Sequence, residues 1–267
     1  MALTVEMDYS KTSEDLDGWF ELNNPLFMLI TIGIYLLLIY KCLPEYMKNR
    51  KPYKLKTFIA VYNILQVVAC SYIIISIFSI TSTNVFKFWK CSIFESNSHF
   101  EYLFNRLIRF TFWLKLIELS ETIVFVLRKK QKQVSWLHVF HHCTTLTLVF
   151  VLARYYRGGS ALYPLFLNCT VHTFMYSYYL LAAVCDQSFL RRLLPVKKSI
   201  TLIQMLQFIL ILAQAFSLLS LCNIYPALIT YYCVVIIIFF YGFYDFYQKS
   251  YTSNVRRSTH KKTAMQR

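Results

Sequence analysis

The stretch FIAVYNILQVVACSYIIISIFSI, residues 58–80, decides the fold: 23 residues without one Asp, Glu, Lys or Arg. At ~1.5 Å rise per residue, a helix of this length crosses the ~30 Å apolar core of a bilayer. Working outward, six more apolar runs appear, at about 25–43, 107–127, 137–155, 161–184, 201–221 and 226–247. The reading is an all-α integral membrane protein, a single membrane domain over 1–267 with seven transmembrane helices. Residues 1–24 form a lumenal segment and 248–267 a cytosolic tail. No internal repeat or separate soluble domain is evident.

Composition agrees. Apolar residues make up 57% of the chain and charged residues 15%, against about 25% charged in soluble domains. The 23 Phe and 21 Tyr exclude a disordered chain, and 5 Gly with 6 Pro exclude a collagenous one. The net charge of +15 could suggest nucleic acid, but the basic residues sit in short gaps between apolar runs, so that partner is rejected. Eight Cys without a C-x-x-C pair fit neither a zinc ribbon nor a disulfide scaffold. The start carries Glu6, Asp8, Glu14, Asp15, Asp17 and Glu21 against Lys11 alone. A cleavable signal peptide, which needs a basic start, is therefore not expected.

Orientation follows from the basic residues. The gaps after spans 1, 3 and 5 and the tail hold 20 of the 28: Lys41, Lys48, Arg50, Lys51, Lys54, Lys56, Arg128, Lys129, Lys130, Lys132, Arg191, Arg192, Lys197, Lys198, Lys249, Arg256, Arg257, Lys261, Lys262 and Arg267. The other side holds six: Lys11, Lys87, Lys90, Arg106, Arg154 and Arg157. The C-terminus is expected in the cytosol and the N-terminus in a lumen. The basic loops also attract anionic lipid and can hold a polyanionic cytosolic ligand.

A charge at mid-membrane costs about 2.5–3.5 kcal/mol on insertion scales, so polar residues inside spans need a reason. Span 4 carries His138, His141 and His142, whose offsets of three and four place them on one helical face. Span 5 carries Asn168, His172, Met175, Tyr176 and Tyr179 on one stripe. Asn168-Cys169-Thr170 fits a glycosylation sequon, but its membrane position argues against that use. Span 3 carries Lys115, Glu118, Glu121 and Thr122, in which Lys115 and Glu118 can neutralise each other or simply fix packing. Span 6 carries Thr201, Gln204 and Gln207, which can serve as interhelical glue. With the orientation above, all four groups fall in the cytosolic half of the bundle. The expected shape is a substrate tunnel surrounded by the helices, polar where it opens to the cytosol and apolar beyond. An acyl-CoA fits it, with phosphates at the loop Lys and Arg residues and the acyl chain within.

Imidazole can act as base, nucleophile or metal ligand. As a nucleophile it can attack a thioester to form an acyl-imidazole. Asn168, His172 and the tyrosines can stabilise an enolate or oxyanion. Of the six histidines, His99 lies in a gap and His260 in the tail. Four are too few for the His boxes of membrane di-iron enzymes; no metal is expected, though a mononuclear site stays open.

These boxes resemble the very-long-chain fatty acid elongase (ELO) family of the endoplasmic reticulum. The matches are H-x-x-H-H at His138, His141 and His142; H-x-x-M-Y-x-Y-Y at His172, Met175, Tyr176, Tyr178 and Tyr179; T-x-x-Q-x-x-Q at Thr201, Gln204 and Gln207; and K-x-x-E-x-x-D-T at Lys115, Glu118, Glu121 and Thr122. Lesser matches are Pro52, Tyr62-Asn63, Gly158-Gly159 and Asn168. Glu121 departs, since the family usually has Asp there. The resemblance implies an acyltransferase of fatty acid biosynthesis. It would condense long-chain acyl-CoA with malonyl-CoA to 3-ketoacyl-CoA, CO₂ and CoA, with no cofactor, by a ping-pong route through an acyl-histidine. It places His141 as nucleophile and His172 in acyl transfer or decarboxylation, with His138 and His142 orienting. Glu121, Asn168, Tyr176, Tyr179, Gln204 and Gln207 would line the substrate path with Lys115, Glu118 and Thr122. It also implies endoplasmic-reticulum residence, assembly with further copies, and the reductases and dehydratase of the elongation cycle as partners. A seven-span receptor and a non-catalytic lipid-binding protein are the rival classes. Cys91 and Cys222 both fall in lumenal gaps, where disulfides are permitted, and are expected to pair; two free thiols satisfy the sequence as well.

Overall fold

The computed structural model describes residues 19–91, 98–155, 159–222 and 226–252. Residues 1–18 with all of the acidic start but Glu21, and Arg157, Gly158, His260 and the basic residues Arg256, Arg257, Lys261, Lys262 and Arg267, lie outside the described residues, as does the side chain of His99.

The described chain is helical, without a strand. The short α1 (Phe20–Asn23) leads into α2 (Pro25–Met47), then α3 (Lys56–Thr81), α4 (Ser98–Glu118), α5 (Ser120–Leu127), α6 (Trp136–Tyr155), α7 (Leu162–Val184), α8 (Gln187–Arg192), α9 (Leu194–Leu221) and α10 (Pro226–Tyr247). Proline starts several rods where its missing N–H costs nothing, at Pro25, Pro195 and Pro226. Pro44 sits deeper, and the backbone widens ahead of it into a π turn over Leu38–Cys42, which relieves the clash with the preceding turn.

Five segments are long and apolar enough to cross a membrane: Pro25–Met47, Lys56–Phe86, Trp136–Arg154, Leu194–Leu221 and Pro226–Thr252. The other two expected spans form helices but fall short in apolarity, for a physical reason. The α4 helix carries Glu101, Arg106, Arg109, Lys115 and Glu118, and α7 is diluted by Asn168, His172 and four tyrosines. The central ones are turned inward: Lys115, Glu118, His172 and Tyr176 are all buried, whereas Glu101 and Arg106 near the start of α4 are exposed.

Packing closes a ring. Helix α3 lies along α7, α7 against α9, α9 against α10, α10 against α6, α6 against α4, and α4 back against α3. Six helices therefore enclose the interior, where seven were expected. Helix α2 sits outside, touching α5 and α6. Over residues 25–39 it is apolar on every side: Leu26, Leu29, Ile30, Ile34 and Leu37 are exposed, and Met28, Tyr35 and Ile39 face in. Such a surface suits lipid contact on one side and packing on the other.

One end of the ring is clamped by polar contacts. Glu21 accepts from Arg109 Nε at 2.6 Å and Trp113 Nε1 at 3.1 Å, tying α1 to α4. Arg154 Nη1 donates to Asn23 O and Oδ1 at 2.8 and 2.6 Å, tying α1 to α6. At the same end Cys91 and Cys222 form a disulfide with Cα atoms 5.5 Å apart, joining the loop after α3 to the end of α9. Its partners are 131 residues apart, so it constrains a long loop. Replacing both cysteines with serine is expected to destabilise the fold by about 2–4 kcal/mol, read as a lower unfolding midpoint in detergent. An unchanged midpoint would show that the bridge does not contribute.

Candidate active site

The polar residues of four helices meet in one buried layer. The first element is an ion pair on α4. Lys115 Nζ donates to both Glu118 oxygens, at 2.9 and 3.0 Å, and also to Asn168 Oδ1 of α7 at 2.9 Å. Lys115 is 4% exposed and Glu118 0%. The helix breaks just after Glu118, at Leu119, whose N–H turns back to Leu116 O. Helix α5 resumes at Ser120 and presents Glu121 and Thr122 to α6. Such a tightened turn inside a helix re-aims the side chains on either side of it.

The histidines divide between two faces. His138 and His142, one turn apart with ring centroids 4.4 Å from each other, face α5. His138 Nε2 is 3.0 Å from Thr122 Oγ1, which is 2.7 Å from the Tyr35 hydroxyl of α2. His142 Nε2 is 3.6 Å from Glu121 Oε2. His141 instead faces α10, its ring 4.8 Å from that of Phe239 and 6.2 Å from that of Phe243. The single face expected for all three is thus split, because adjacent positions on a helix diverge by about 100°. His141, His142 and, on α7, His172 each keep a buried Nδ1 without a hydrogen-bond partner. Buried polar atoms in native proteins are rarely left so, which points to atoms that a ligand meets.

On α7, Asn168 Nδ2 lies 3.3 Å from His172 Nε2, and His172 Nδ1 lies 3.5 Å from Glu118 Oε1. Tyr176 is buried, with its ring 5.5 Å from His172 and 6.1 Å from Tyr62. Gln66 donates to the Tyr62 hydroxyl at 2.9 Å.

A large cavity and a narrow crevice flank this layer. The larger, about 990 Å³, is bounded by the 51–56 segment, α3, α5 and α7. Lys51, Lys54, Lys56, Arg128 and Lys130 line it, with Glu121 at its inner side and Tyr179 at its mouth. The second is a narrow crevice of about 90 Å³. Lys115, His141, Asn168 and Gln207 form its polar end, and Ile108, Leu152, Pro164, Ile211 and Tyr232 extend the apolar remainder. Between the cavities runs a path of neighbours, Glu121 to His142 to His141, the last two with rings 5.8 Å apart.

Most of the expected residues come together here. Gln204 does not: it donates to Met175 Sδ at 3.6 Å and lines neither cavity. Tyr179 is 41% exposed at the mouth of the large cavity, outside the buried layer. Tyr35, Gln66, Cys70, Phe239 and Phe243 escaped the sequence reading. Tyr35, Gln66 and Cys70 stand singly in apolar runs, and Phe239 and Phe243 belong to an aromatic run in which no spacing marks them. Among the described residues, Glu121, His138 and His142 form a set whose donor atoms converge within 4.8 Å and could hold a cation; two imidazoles and a carboxylate suit zinc or iron.

A helical ring with buried charge, five apolar spanning segments and a polar site inside it defines an integral membrane protein with a functional interior. The model of the family described as "ELO: GNS1/SUR4 family" matches residues 20–261. The chain is 33% identical over 248 residues to human very long chain fatty acid elongase 1, covering 90% of this chain and 87% of that protein. It is 31% identical over 246 residues to very long chain fatty acid elongase 7 of Rattus norvegicus, covering 88% and 85%. It is 37% identical over 196 residues to very long chain fatty acid elongase F of Drosophila simulans, covering 71% and 73%. The chain belongs to the ELO family.

Thr122 is fully buried and holds two partners at once. Thr122→Val keeps the shape but removes the hydroxyl, leaving Tyr35 and His138 unsatisfied. A loss of about 1–3 kcal/mol is expected, while Thr122→Ser should stay close to wild type. Equal stability of the Val and Ser variants in a denaturant titration would refute the bridge.

Proposed function

We propose that the protein is a fatty acid elongase, an acyltransferase that condenses a long-chain acyl-CoA with malonyl-CoA to give 3-ketoacyl-CoA, CO₂ and CoA. The observation that carries this reading is the placement of His141. It is a buried imidazole with an unpartnered nitrogen, at the polar end of an apolar crevice and joined through His142 and Glu121 to a large basic cavity.

Each part of an acyl-CoA finds suitable chemistry. Its phosphates meet Lys51, Lys54, Lys56, Arg128 and Lys130. Its acyl chain enters the apolar crevice. The His141 nitrogen attacks the thioester carbonyl, the C–S bond breaks, and CoA departs as the thiol after taking up a proton. Malonyl-CoA then loses CO₂. The resulting enolate attacks the acyl carbon and releases the imidazole. Lys115, held by Glu118, supplies the positive field that an enolate oxygen requires, and the His172 ring serves proton transfer. His138 and His142, fixed by Thr122 and Glu121, orient the segment of α6 that carries His141.

This chemistry uses no resident cofactor. We place the protein in the endoplasmic reticulum membrane with seven spans, the disulfide end lumenal and the basic cavity cytosolic, which matches the asymmetry of the basic loops. Reductases and a dehydratase acting on its product are the expected partners, and further copies of the chain are expected to assemble with it.

The test is the intact mass of the purified protein after incubation with a panel of acyl-CoAs. A gain of one acyl group, discharged by malonyl-CoA with release of 3-ketoacyl-CoA, is expected. His141→Ala should show neither adduct nor product while remaining folded; wild-type turnover by that variant would reject the nucleophile. EDTA should leave turnover unchanged. Loss with EDTA and recovery with a divalent cation would reassign Glu121, His138 and His142 as ligands.

A further inference from the structure

Asn168, Lys115, Glu118 and His172 close a ring of polar contacts across α4 and α7, and the ring has only one consistent assignment of protons. Lys115 Nζ is 2.9 Å from the Asn168 side chain and donates to both Glu118 oxygens. An ammonium has donors and no acceptor, so the Asn168 atom facing it must be the carbonyl oxygen. The amide NH₂ then faces His172 Nε2, 3.3 Å away. An NH₂ only donates, so Nε2 must carry a lone pair, and the single proton of the neutral ring sits on Nδ1. Nδ1 lies 3.5 Å from Glu118 Oε1, close enough for the carboxylate to favour a proton on that nitrogen although the two are not hydrogen-bonded. The Lys115–Asn168–His172 contacts therefore fix the tautomer, and the Glu118 charge agrees with it.

We propose that Asn168 is a positioning residue that fixes the tautomer of His172, holding its proton on Nδ1 toward Glu118 and reserving Nε2 as the proton-accepting atom. The proposal deepens the elongase reading, because it assigns His172 its form as a base. A second proton on His172 has to enter at Nε2, against an amide that can only donate and that Lys115 prevents from turning. The charged and titratable groups around the ring are Lys115 and Glu118 from α4, Cys70 from α3, His141 from α6, and Tyr176 on α7 itself. Glu118 and Lys115 carry opposite charges beside the ring, and Asn168 discriminates between the two nitrogens by donating to Nε2.

Asn168→Asp tests this with little change in shape. The carboxylate still accepts from Lys115 but now presents an acceptor to Nε2, so His172 gains a proton there more readily. The acidic limb of the kcat/KM profile is expected to move up by at least one pH unit, with the deficit shrinking as pH rises. A loss of activity equal at all pH values, with the limb unmoved, would mean that Asn168 only supports packing and would overturn the proposal. If the Asp variant does not fold, the wild-type protein decides. In ¹⁵N-histidine-labelled protein, with His172 signals identified by their absence in His172→Gln, neutral pH should give a protonated Nδ1 and an unprotonated Nε2. The reverse pattern, or two protonated nitrogens, would overturn it. That spectrum needs no substrate. A protein with the expected tautomer and no elongation of any acyl-CoA would contradict the elongase reading alone.

Discussion

Lys115 and Glu118 are one helical turn apart and almost wholly removed from solvent, with the ammonium bonded to both carboxylate oxygens. Either charge alone in an apolar interior carries a desolvation penalty of several kcal/mol. Together they fit there only because a third group, Asn168, takes up a further ammonium hydrogen and because the surrounding helices present polar side chains at that depth. The pair thus constrains its neighbours. It fixes the rotation of α4, orients Asn168 on α7, and places a carboxylate within 3.5 Å of His172.

The remaining architecture supports that layer. The helix break at Leu119 lets Glu118 and Glu121 serve different histidines, one on α7 and one on α6. The closure of six helices shields the layer from lipid, while α2 stays outside and sends in a single hydroxyl, that of Tyr35, through Thr122 to His138. The disulfide and the Glu21–Arg109 contact lock the opposite end of the ring. The mouth at the basic end is left wide, and the interior beyond His141 is narrow and apolar.

Much of this was legible in the sequence because the bilayer enforces length and polarity. The charge-free run 58–80 could only be a buried or spanning helix, and it is one of the longest rods. His138, His142, His172, Glu118 and Glu121 were recognisable because polar groups in apolar runs need partners. Other features were not legible. Helical spacing gathered His138, His141 and His142 on one side, but it could not say that two different neighbours, α5 and α10, would divide them. Seven apolar runs implied seven walls, yet nothing in the apolar pattern of α2 distinguishes an outer helix from a wall. Gln204 stands at regular spacing with Gln207, but only Gln207 reaches a cavity, because the register of α9 against α7 turns Gln204 to Met175.

The account depends on Lys115 and Glu118 acting as one unit, and a double-mutant cycle measures that directly. Unfolding free energies in detergent would be compared for Lys115→Met, Glu118→Gln and the double variant. Each single change strands a buried polar partner and should cost about 3–5 kcal/mol, with the double variant costing far less than their sum. Single costs that simply add would show two independent groups, and would contradict a polar layer organised around this pair.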